Sequence, residues 1–349
     1  MRRCFASPVL LASILAAIPA HANLLITPTF DSSITSDLNA TSIESTINAA
    51  ITVFDSTYTN PIDVLIYFQE GGGLGQSNFV ETSVPYQTFY NQLVAKNSNP
   101  AAIAGLTANG GAGSNNPVTG TRSIDIKSAN ARALGITSNG ANVPDCYLTT
   151  GVGVPKQCTS GNNGSSAVDG IISLNTSITY PGSPGSTLSY GLMSVVEHEI
   201  DEILGLGSAL ANTNSSSGSV TSTNPLPEDL FRYGSNGSRI FSVNCAAAAT
   251  AFFSYNGSTD LAQFNNACNG ADFGDWQSNP IPAGVAAQVQ DAFAVSGAQP
   301  LYGANEIAAL SAIGYTVAVA PEPGTWILLS IALPAFAIVR KRAAAGVRK

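Results

Sequence analysis

Hydrophobic residues recur at regular spacing through the first part of the chain and predict its main elements. Residues 40–58 predict an amphipathic helix. Four large apolar residues share one side of this helix: Ile43, Ile47, Ile51 and Phe54. Residues 62–68 are an apolar run typical of a buried strand, and the glycine-rich residues 71–75 that follow predict a loop.

Shorter patterns predict the remaining elements and indicate an α+β fold. They predict helices at 85–96, 100–107 and 305–313, strands at 123–126 and 169–175, and a short helix through residue 133 capped by Ser128. In the last helix, Ile307 and Leu310 are expected to face inward. About 300 residues between the two termini are enough for a large core in one domain or two packed lobes.

The strongest single pattern is the helix predicted around residues 195–207. His198 and Glu202 are four residues apart, so their side chains project from one face about one turn from each other and could hold one metal ion. Apolar residues occupy the opposite side: Leu192, Val196, Ile200 and Ile203. The pattern predicts a buried helix that presents a polar face to a cleft.

Acidic residues are crowded on this helix. Four carboxylates fall within six residues: Glu197, Glu199, Asp201 and Glu202. Like charges at this spacing repel each other unless they are protonated or matched by a cation. A divalent metal would supply that match, whereas the simpler alternative is a lone histidine with an ordinary structural hydrogen bond.

These residues resemble the active-site helix of zincin metalloproteases, His-Glu-x-x-His-x-x-Gly-x-x-His in its matrixin form. His198, Glu199 and Gly205 match the first histidine, the general-base glutamate and the turn glycine. Glu202 replaces the second histidine and Ser208 the third. A carboxylate is an acceptable zinc ligand and a serine hydroxyl is a poor one, so another residue must complete the site. The methionine turn of metzincins is also missing.

The His-Glu-x-x-Glu variant resembles a family of exported bacterial proteins described as metalloproteases, which also have segments similar to residues 229–233 and 274–276. The resemblance implies a zincin, metzincin-like catalytic domain in which the strand at 169–175 borders the substrate cleft. It further implies a Zn²⁺ cofactor, or another divalent cation, and a protein or peptide substrate. Glu199 would act as the general base, and His198 and Glu202 as metal ligands.

The third metal ligand must be acidic, because no other histidine remains once the signal peptide is removed. Asp229, Asp272, Asp275 and Asp291 all lie downstream of the helix. We select Asp275, because its position before a tryptophan resembles leishmanolysin-like zincins, whose third histidine lies far downstream and precedes a tryptophan. The alternative is that Asp275 only caps a turn after a glycine.

Both termini have the composition of targeting segments. Residues 1–22 combine a basic start, an apolar run and an A-x-A site, which predicts a signal peptide. Residues 321–349 begin Pro-Glu-Pro, continue with an apolar stretch and end in a basic cluster. This tail resembles the PEP-CTERM sorting signal of Gram-negative bacteria, and the alternative is a plain membrane anchor. We expect residues 23–207 to form a zincin-like lobe and residues 208–320 a C-terminal lobe.

Charge and cysteine content agree with export. The chain has 14 Lys and Arg against 22 Asp and Glu, and half of the basic residues lie in the two terminal segments. The mature protein is therefore too acidic for a phosphate-contacting nucleic-acid binder. Four cysteines remain after the signal peptide, and the two short loops Cys146–Cys158 and Cys245–Cys268 are the expected disulfides of the three possible connectivities.

Two functions follow as expectations. The first is an exported zinc-dependent endopeptidase at the cell surface or in the medium, released by a sorting transpeptidase after transient membrane association through its C-terminal segment. The second is a non-catalytic surface or biofilm-matrix protein that retains the zincin fold. Metal content distinguishes the two.

Overall fold

The computed structural model describes residues 23–149, 155–161, 166–182, 189–210, 219–246 and 249–318. The predicted signal peptide and sorting signal lie outside these residues. The chain divides into a compact unit that ends at Thr316 and a second unit, Val317–Lys349, of which only the first two residues are described. Within the described residues, no helix combines the length and the apolar character needed to cross a bilayer.

Five of the seven described α-helices lie in the first 134 residues, and strands follow one another in runs elsewhere. The helices are α1 (Ser32–Thr35), α2 (Ala40–Thr57), α3 (Tyr86–Lys96), α4 (Pro100–Leu106), α5 (Ser128–Leu134), α6 (Leu192–Leu204) and α7 (Ala304–Ala312). The strands of the first half are β1 (Leu25–Phe30), β2 (Asp63–Glu70), β3 (Gly75–Phe79), β4 (Glu81–Pro85), β5 (Ser123–Lys127), β6 (Cys146–Leu148), β7 (Cys158–Thr159), β8 (Ala167–Val168) and β9 (Gly170–Leu174). Those of the second half are β10 (Thr179–Tyr180), β11 (Tyr190–Gly191), β12 (Ser219–Val220), β13 (Arg232–Gly234), β14 (Val243–Asn244), β15 (Ala251–Ser254) and β16 (Asp260–Phe264). The α+β class predicted from the sequence is confirmed.

A four-stranded sheet in the order β1-β2-β9-β3 supports the first half of the protein. β1, β2 and β9 are parallel, and β3 runs antiparallel to β9 with Ser77 opposite Ile172. Helices α2 and α6 pack against each other and against this sheet. The helix predicted at residues 40–58 is thereby confirmed, and its apolar side is buried in the core.

The edge strand β3 is the main element that the sequence did not predict. Residues 71–75 were expected to form a loop, but the loop ends at Leu74 and a strand begins at Gly75. The strand predicted to border the cleft, at 169–175, corresponds to β9, which lies inside the sheet between β2 and β3. That prediction was wrong: β3 occupies the edge, because its short polar sequence tolerates exposure that the apolar β9 does not.

Two further side chains differ from expectation. Ser128 is the first residue of α5 and not its cap, and its hydroxyl donates to the Oδ1 of Asp169 at 2.5 Å. In α7, Leu310 is fully buried as predicted, whereas Ile307 is only partly buried. Glu306 takes the inward position instead, because its carboxylate accepts hydrogen bonds in the core.

The second half of the described chain has a small three-stranded antiparallel sheet, β13-β15-β16, with an aromatic core. Phe253 is at the centre, and its ring packs against those of Phe231, Phe264 and Trp276. Trp276 is completely buried and pairs through its backbone with Phe264 on one side and Asp291 on the other. These two backbone bridges hold the segment around Trp276 in place, although that segment has little regular secondary structure of its own.

Both predicted disulfides are present, Cys146–Cys158 and Cys245–Cys268. Disulfides of this kind persist in oxidising compartments outside the cytosol. The first one anchors β7 against the edge strand, because the amide of Cys158 donates to the side chain of Asn78 at 2.6 Å. The disulfide-bonded strand β7 therefore contacts β3 at Asn78.

A buried carboxyl on α2 makes stability depend on pH. The Oδ1 of Asp55 accepts a hydrogen bond from the amide of Ile26 on β1 at 3.0 Å, and burial raises the pKa of Asp55 to about 6. The folded state thus favours the protonated acid, and this contribution is complete below the unfolded pKa of 3.8 and is lost as the pH rises through about 6.

We expect Asp55→Asn, which keeps the acceptor and cannot ionise, to gain stability relative to the wild type between pH 4 and pH 7. Urea denaturation at the two pH values measures the difference. Glu44→Gln on the same helix removes a negative charge away from β1 and is the control. A stability difference for Asp55→Asn that is equal at both pH values would contradict the assignment.

Candidate metal centre

Helix α6 is buried almost completely, and its apolar side packs into the core as predicted. Its polar residues divide between two sides of the helix. His198, Glu199 and Glu202 face a cleft, while Glu197 and Asp201 face α7 and Tyr302. The helix ends at Gly205, whose φ of 135° is readily accessible only to glycine.

His198, Glu202 and Asp275 each place one ligand atom so that the three atoms lie within 4.8 Å of one another. The Nε2 of His198 is 3.7 Å from the Oε1 of Glu202 and 3.8 Å from the Oδ1 of Asp275. All three are buried or nearly so, and a single ion between these atoms could contact each of them. This buried group could bind a metal ion.

Asp275 reaches the helix because two glycines cross in close contact. A Cβ on Gly274 would lie 2.7 Å from the amide nitrogen of Ser208 and would overlap the backbone of Gly207. The backbone of Asp275 is also fixed, since its carbonyl accepts a hydrogen bond from the amide of Asn265 at 2.7 Å. The crossing holds the downstream segment against the turn that follows α6.

Each residue of the group is oriented by a partner outside it. The Nδ1 of His198 lies 3.0 Å from the carbonyl oxygen of Val289, which can only accept a hydrogen bond, so Nδ1 donates to it and Nε2 faces the two carboxylates. Ser77 on β3 donates to the Oε2 of Glu202, and the Nε2 of Gln290 donates to Asp275 at 3.1 Å. Such partners orient metal ligands and are a regular feature of built metal sites.

The charges in the group are strongly coupled. Burial lowers the pKa of His198, but Asp275, Glu202 and Glu199 raise it well above its ordinary value. Burial raises the pKa of Asp275 well above its ordinary range, and Glu202 adds to this. The pKa of Glu202 instead falls despite burial, because the adjacent His198 and the buried Lys127 favour the ionised carboxylate. A divalent cation at this point would favour the ionised form of both carboxylates.

The cleft above α6 has a volume of about 660 Å³. β3 and the loop before it form one wall, with the residues Gly72, Gly73, Leu74, Gly75, Gln76 and Ser77. The opposite wall comes from residues 287–300 and consists mainly of small apolar side chains: Ala287, Val289, Ala292, Ala294, Val295, Ala298 and Pro300. The three clustered residues lie at its floor, so the cleft gives extended molecules access to them.

Glu199 lies on the same floor, directly after His198 in the chain. Its side chain is 5% exposed, and β3 passes so close that a Cβ on Gly75 would overlap the Glu199 carboxylate. Burial raises the pKa of Glu199 well above its ordinary value, and the neighbouring Glu202 adds to the shift. Glu199 is therefore a carboxyl group near the three clustered residues, in surroundings that favour its protonated form.

The other downstream aspartates considered from the sequence have different positions. Asp229 accepts hydrogen bonds from the hydroxyl of Ser208 at 2.5 Å and from the amides of Ala209 and Leu226, so it fixes the turn after α6. Asp272 and Asp291 line the cleft but do not belong to the close group. Ser208 is directed to Asp229, which explains why it takes no part in the group.

Glu197 and Asp201 form a second polar region on the far side of α6. The hydroxyl of Tyr302 donates to Asp201 at 2.9 Å and lies 2.7 Å from the hydroxyl of Tyr58. Burial raises the pKa of Glu197 to about 8, and Glu306 on α7 adds to the shift. Burial therefore favours the protonated forms of Glu197 and Asp201, and Tyr302 donates a hydrogen bond to Asp201. Of the four crowded carboxylates, only Glu199 and Glu202 face the cleft.

Sequence reasoning did not identify the residues that orient the group. Ser77 lies in a stretch expected to be at the end of a glycine loop, and Gln290 lies in a region without a predicted element. Neither has a chemical signature in the sequence, because a hydrogen bond to a distant carboxylate depends on tertiary structure. Gly274 was noted only as part of a resembling segment, and its contact with Gly207 gives it a physical role.

Comparison with known proteins identifies no relative: no protein-family model matches the chain, and no curated protein or solved structure is similar to it. The functional interpretation therefore depends on the residues of this chain alone.

The glycine crossing gives a direct test of the geometry. Gly274→Ala should destabilise the protein by about 1–3 kcal/mol, because the added methyl group meets backbone that has little freedom to move. It should also weaken binding of zinc by displacing Asp275. Gly72→Ala, where a Cβ meets no atom within 4 Å, is the matched control. Thermal denaturation and zinc titration measure both effects, and an unchanged Gly274→Ala protein would contradict the crossing.

Proposed function

We propose that this protein is an exported zinc-dependent endopeptidase. The observation that carries the proposal is that His198, Glu202 and Asp275 converge at the floor of an open cleft, each with its own orienting hydrogen bond. Polar groups that were merely buried would not be expected to leave three ligand atoms facing one point. Glu199 beside them supplies the remaining group that peptide hydrolysis requires.

The donor set fits zinc. One imidazole nitrogen and two carboxylate oxygens are accepted zinc ligands, and three protein ligands leave a fourth position open for catalysis. Two carboxylates also make the set harder and more anionic than three histidines, and so more tolerant of manganese or calcium. We favour zinc because the set includes an imidazole, whose Nε2 faces both carboxylates while its Nδ1 is held by the Val289 carbonyl.

The proposed reaction divides its tasks among residues of this chain. A zinc ion bound here would acidify a water molecule and polarise the scissile carbonyl. Glu199 is the general base, since its carboxylate borders the same floor and can take a proton from water and deliver it to the leaving amine. The low exposure of Glu199 favours this exchange, because burial raises its pKa and so makes the carboxylate a stronger proton acceptor.

The shape of the cleft supports a peptide as substrate. Among the described residues β3 pairs only with β9, so the backbone of Gly75, Gln76 and Ser77, which line the cleft, offers donors and acceptors to an extended chain. The small apolar residues of the opposite wall leave room for substrate side chains. The order of α2, β2, β9 and α6 also agrees with the zincin-like arrangement that the sequence resemblance implies, with β3 in the role we had assigned to β9.

The two disulfides support the expected location outside the cytosol. Release by a sorting transpeptidase and transient membrane association are proposals that depend on the tail at residues 321–349, which lies outside the described residues.

The ligand set can be tested by metal content. Wild-type protein should bind about one zinc ion per chain, and Asp275→Ala should lose stoichiometric binding while staying folded, because one histidine and one carboxylate hold zinc weakly. Asp272→Ala removes a carboxylate from the same cleft outside the close group and should retain the metal. Elemental analysis with circular dichroism measures the result; full occupancy in Asp275→Ala would exclude Asp275 as a ligand.

The catalytic role is tested separately. Glu199→Gln should bind zinc as the wild type does and cleave an unfolded protein roughly 100-fold more slowly or worse, because the general base is gone. Cleavage is followed by gel electrophoresis and by a quenched peptide library. If the wild type binds zinc but cleaves nothing, the non-catalytic surface protein becomes the better interpretation. Unchanged cleavage in Glu199→Gln would remove the role given to this residue.

A further inference from the structure

Lys127 is a fully buried lysine with an unusual position. It is the last residue of β5, and only 2% of it is exposed. Its Nζ donates to the carbonyl oxygen of Glu202 at 2.8 Å and to that of Leu206 at 2.7 Å. A lysine is almost never buried without specific partners, so this arrangement requires an explanation beyond packing.

Glu202 lies in the last turn of α6, and Leu206 lies in the turn that follows the helix. The backbone partial charge at the end of a helix is negative. The carbonyl of Glu202 also accepts a hydrogen bond from the amide of Gly205, and the ammonium group of Lys127 lies against this negative end. It also lies 3.5 Å from the centre of the Phe79 ring on β3, an additional favourable position for a cation.

Through these contacts Lys127 connects two parts of the candidate metal centre. Glu202 is one of the three clustered residues, and its own carbonyl is bound by Lys127. Leu206 directly precedes Gly207, over which Gly274 crosses to bring Asp275 into place. The same side chain therefore fixes the backbone that carries one carboxylate and the turn that positions the other.

The charge of Lys127 is as relevant as its hydrogen bonds. The described residues that line the cleft include five carboxylates and neither lysine nor arginine: Glu199, Glu202, Asp272, Asp275 and Asp291. Lys127 lies beneath this surface and is attracted electrostatically to Glu202, Glu81, Glu228 and Asp272. A buried cation at this depth offsets repulsion between carboxylates that have to approach one ion together.

We propose that Lys127 is a positioning residue of the metal centre, which holds the end of α6 and the turn after it so that Glu202 and Asp275 converge on one ion. The inference depends on the proposed zinc site. Lys127 contacts no metal position itself and acts through the backbone of Glu202 and Leu206.

Zinc affinity distinguishes this role from a merely structural one. Loss of a residue that orients metal ligands typically weakens metal binding 10–100-fold. We therefore expect Lys127→Met, which keeps most of the volume and removes the charge and donors, to bind zinc about 10–100-fold more weakly than the wild type. Lys127→Arg retains a charge and N–H donors and should bind more tightly than Lys127→Met. Competition with a zinc-binding dye measures each dissociation constant.

Arg132→Met is the matched control. Arg132 is another mostly buried cation nearby, and its guanidinium donates to Asp169 at 2.7 Å and to the Asp63 carbonyl at 2.9 Å, away from the end of α6. It should lose stability without a comparable loss of zinc affinity. Equal weakening in Arg132→Met and Lys127→Met would overturn the proposal, because general loosening of the fold would then explain both.

The remaining outcomes are also decisive. Wild-type affinity in a folded Lys127→Met protein would overturn the positioning role while leaving the zinc site intact. A wild type that binds no zinc would instead remove the proposed function, and this inference with it. If Lys127→Met stays unfolded by circular dichroism even in excess zinc, Lys127 is a residue of general stability and the proposal fails.

Discussion

The structure depends on burying four carboxylates of one helix without leaving them to repel each other. The carboxylates of α6 point in two directions. Glu197 and Asp201 point to one side, where burial favours their protonated forms and Tyr302 donates a hydrogen bond to Asp201. Glu199 and Glu202 point to the other, beside His198 and the cleft. The helix can be buried on all sides only because its two carboxylate-bearing faces are stabilised in different ways. The fold supplies a hydrogen-bond donor on the face of Glu197 and Asp201, and cationic charge on the face of Glu199 and Glu202.

A second constraint is the contact between two glycines. Gly207 lies in the turn after α6, and Gly274 crosses it without room for a side chain. The crossing brings Asp275 from a distant part of the chain to His198, and the buried Trp276 beside it anchors the segment by donating to Glu306 on α7. The close approach of the two backbones therefore determines where Asp275 lies, and hydrogen bonds from polar side chains then orient the candidate ligands. Polar side chains then fix the ligands: Ser77 for Glu202, and Gln290 for Asp275.

The sequence predicted what local pattern and composition determine. Helices α2 to α7 and the apolar strands β2 and β9 were predicted because apolar spacing along the chain indicates them, whereas the short helix α1 was not predicted. Both disulfides were predicted from the preference for short loops among three possible connectivities. The close approach of Asp275 was also anticipated, although through resemblance and not through geometry. Sequence could not predict β3, since this short polar strand has no apolar alternation and pairs with β9, which is remote in the chain. Nor could it predict the contacts of Ser77 and Lys127 with Glu202 or of Val289 with His198, because these partners are remote in the chain.

Carboxylates stand where the zincin pattern that this helix resembles has histidines, and this choice has electrostatic consequences. Three neutral imidazoles can be buried around an empty metal position at little electrostatic cost, whereas Glu202 and Asp275 cannot both be ionised there without a cation. Without a metal ion, the pKa of Glu202 is lowered by the imidazole of His198, and that of Asp275 is raised by burial. Under the proposed function, a bound ion would favour the ionised form of both carboxylates, and its binding would then release a proton from the group. The choice of ligands and the buried lysine would thus contribute to the same electrostatic balance around α6.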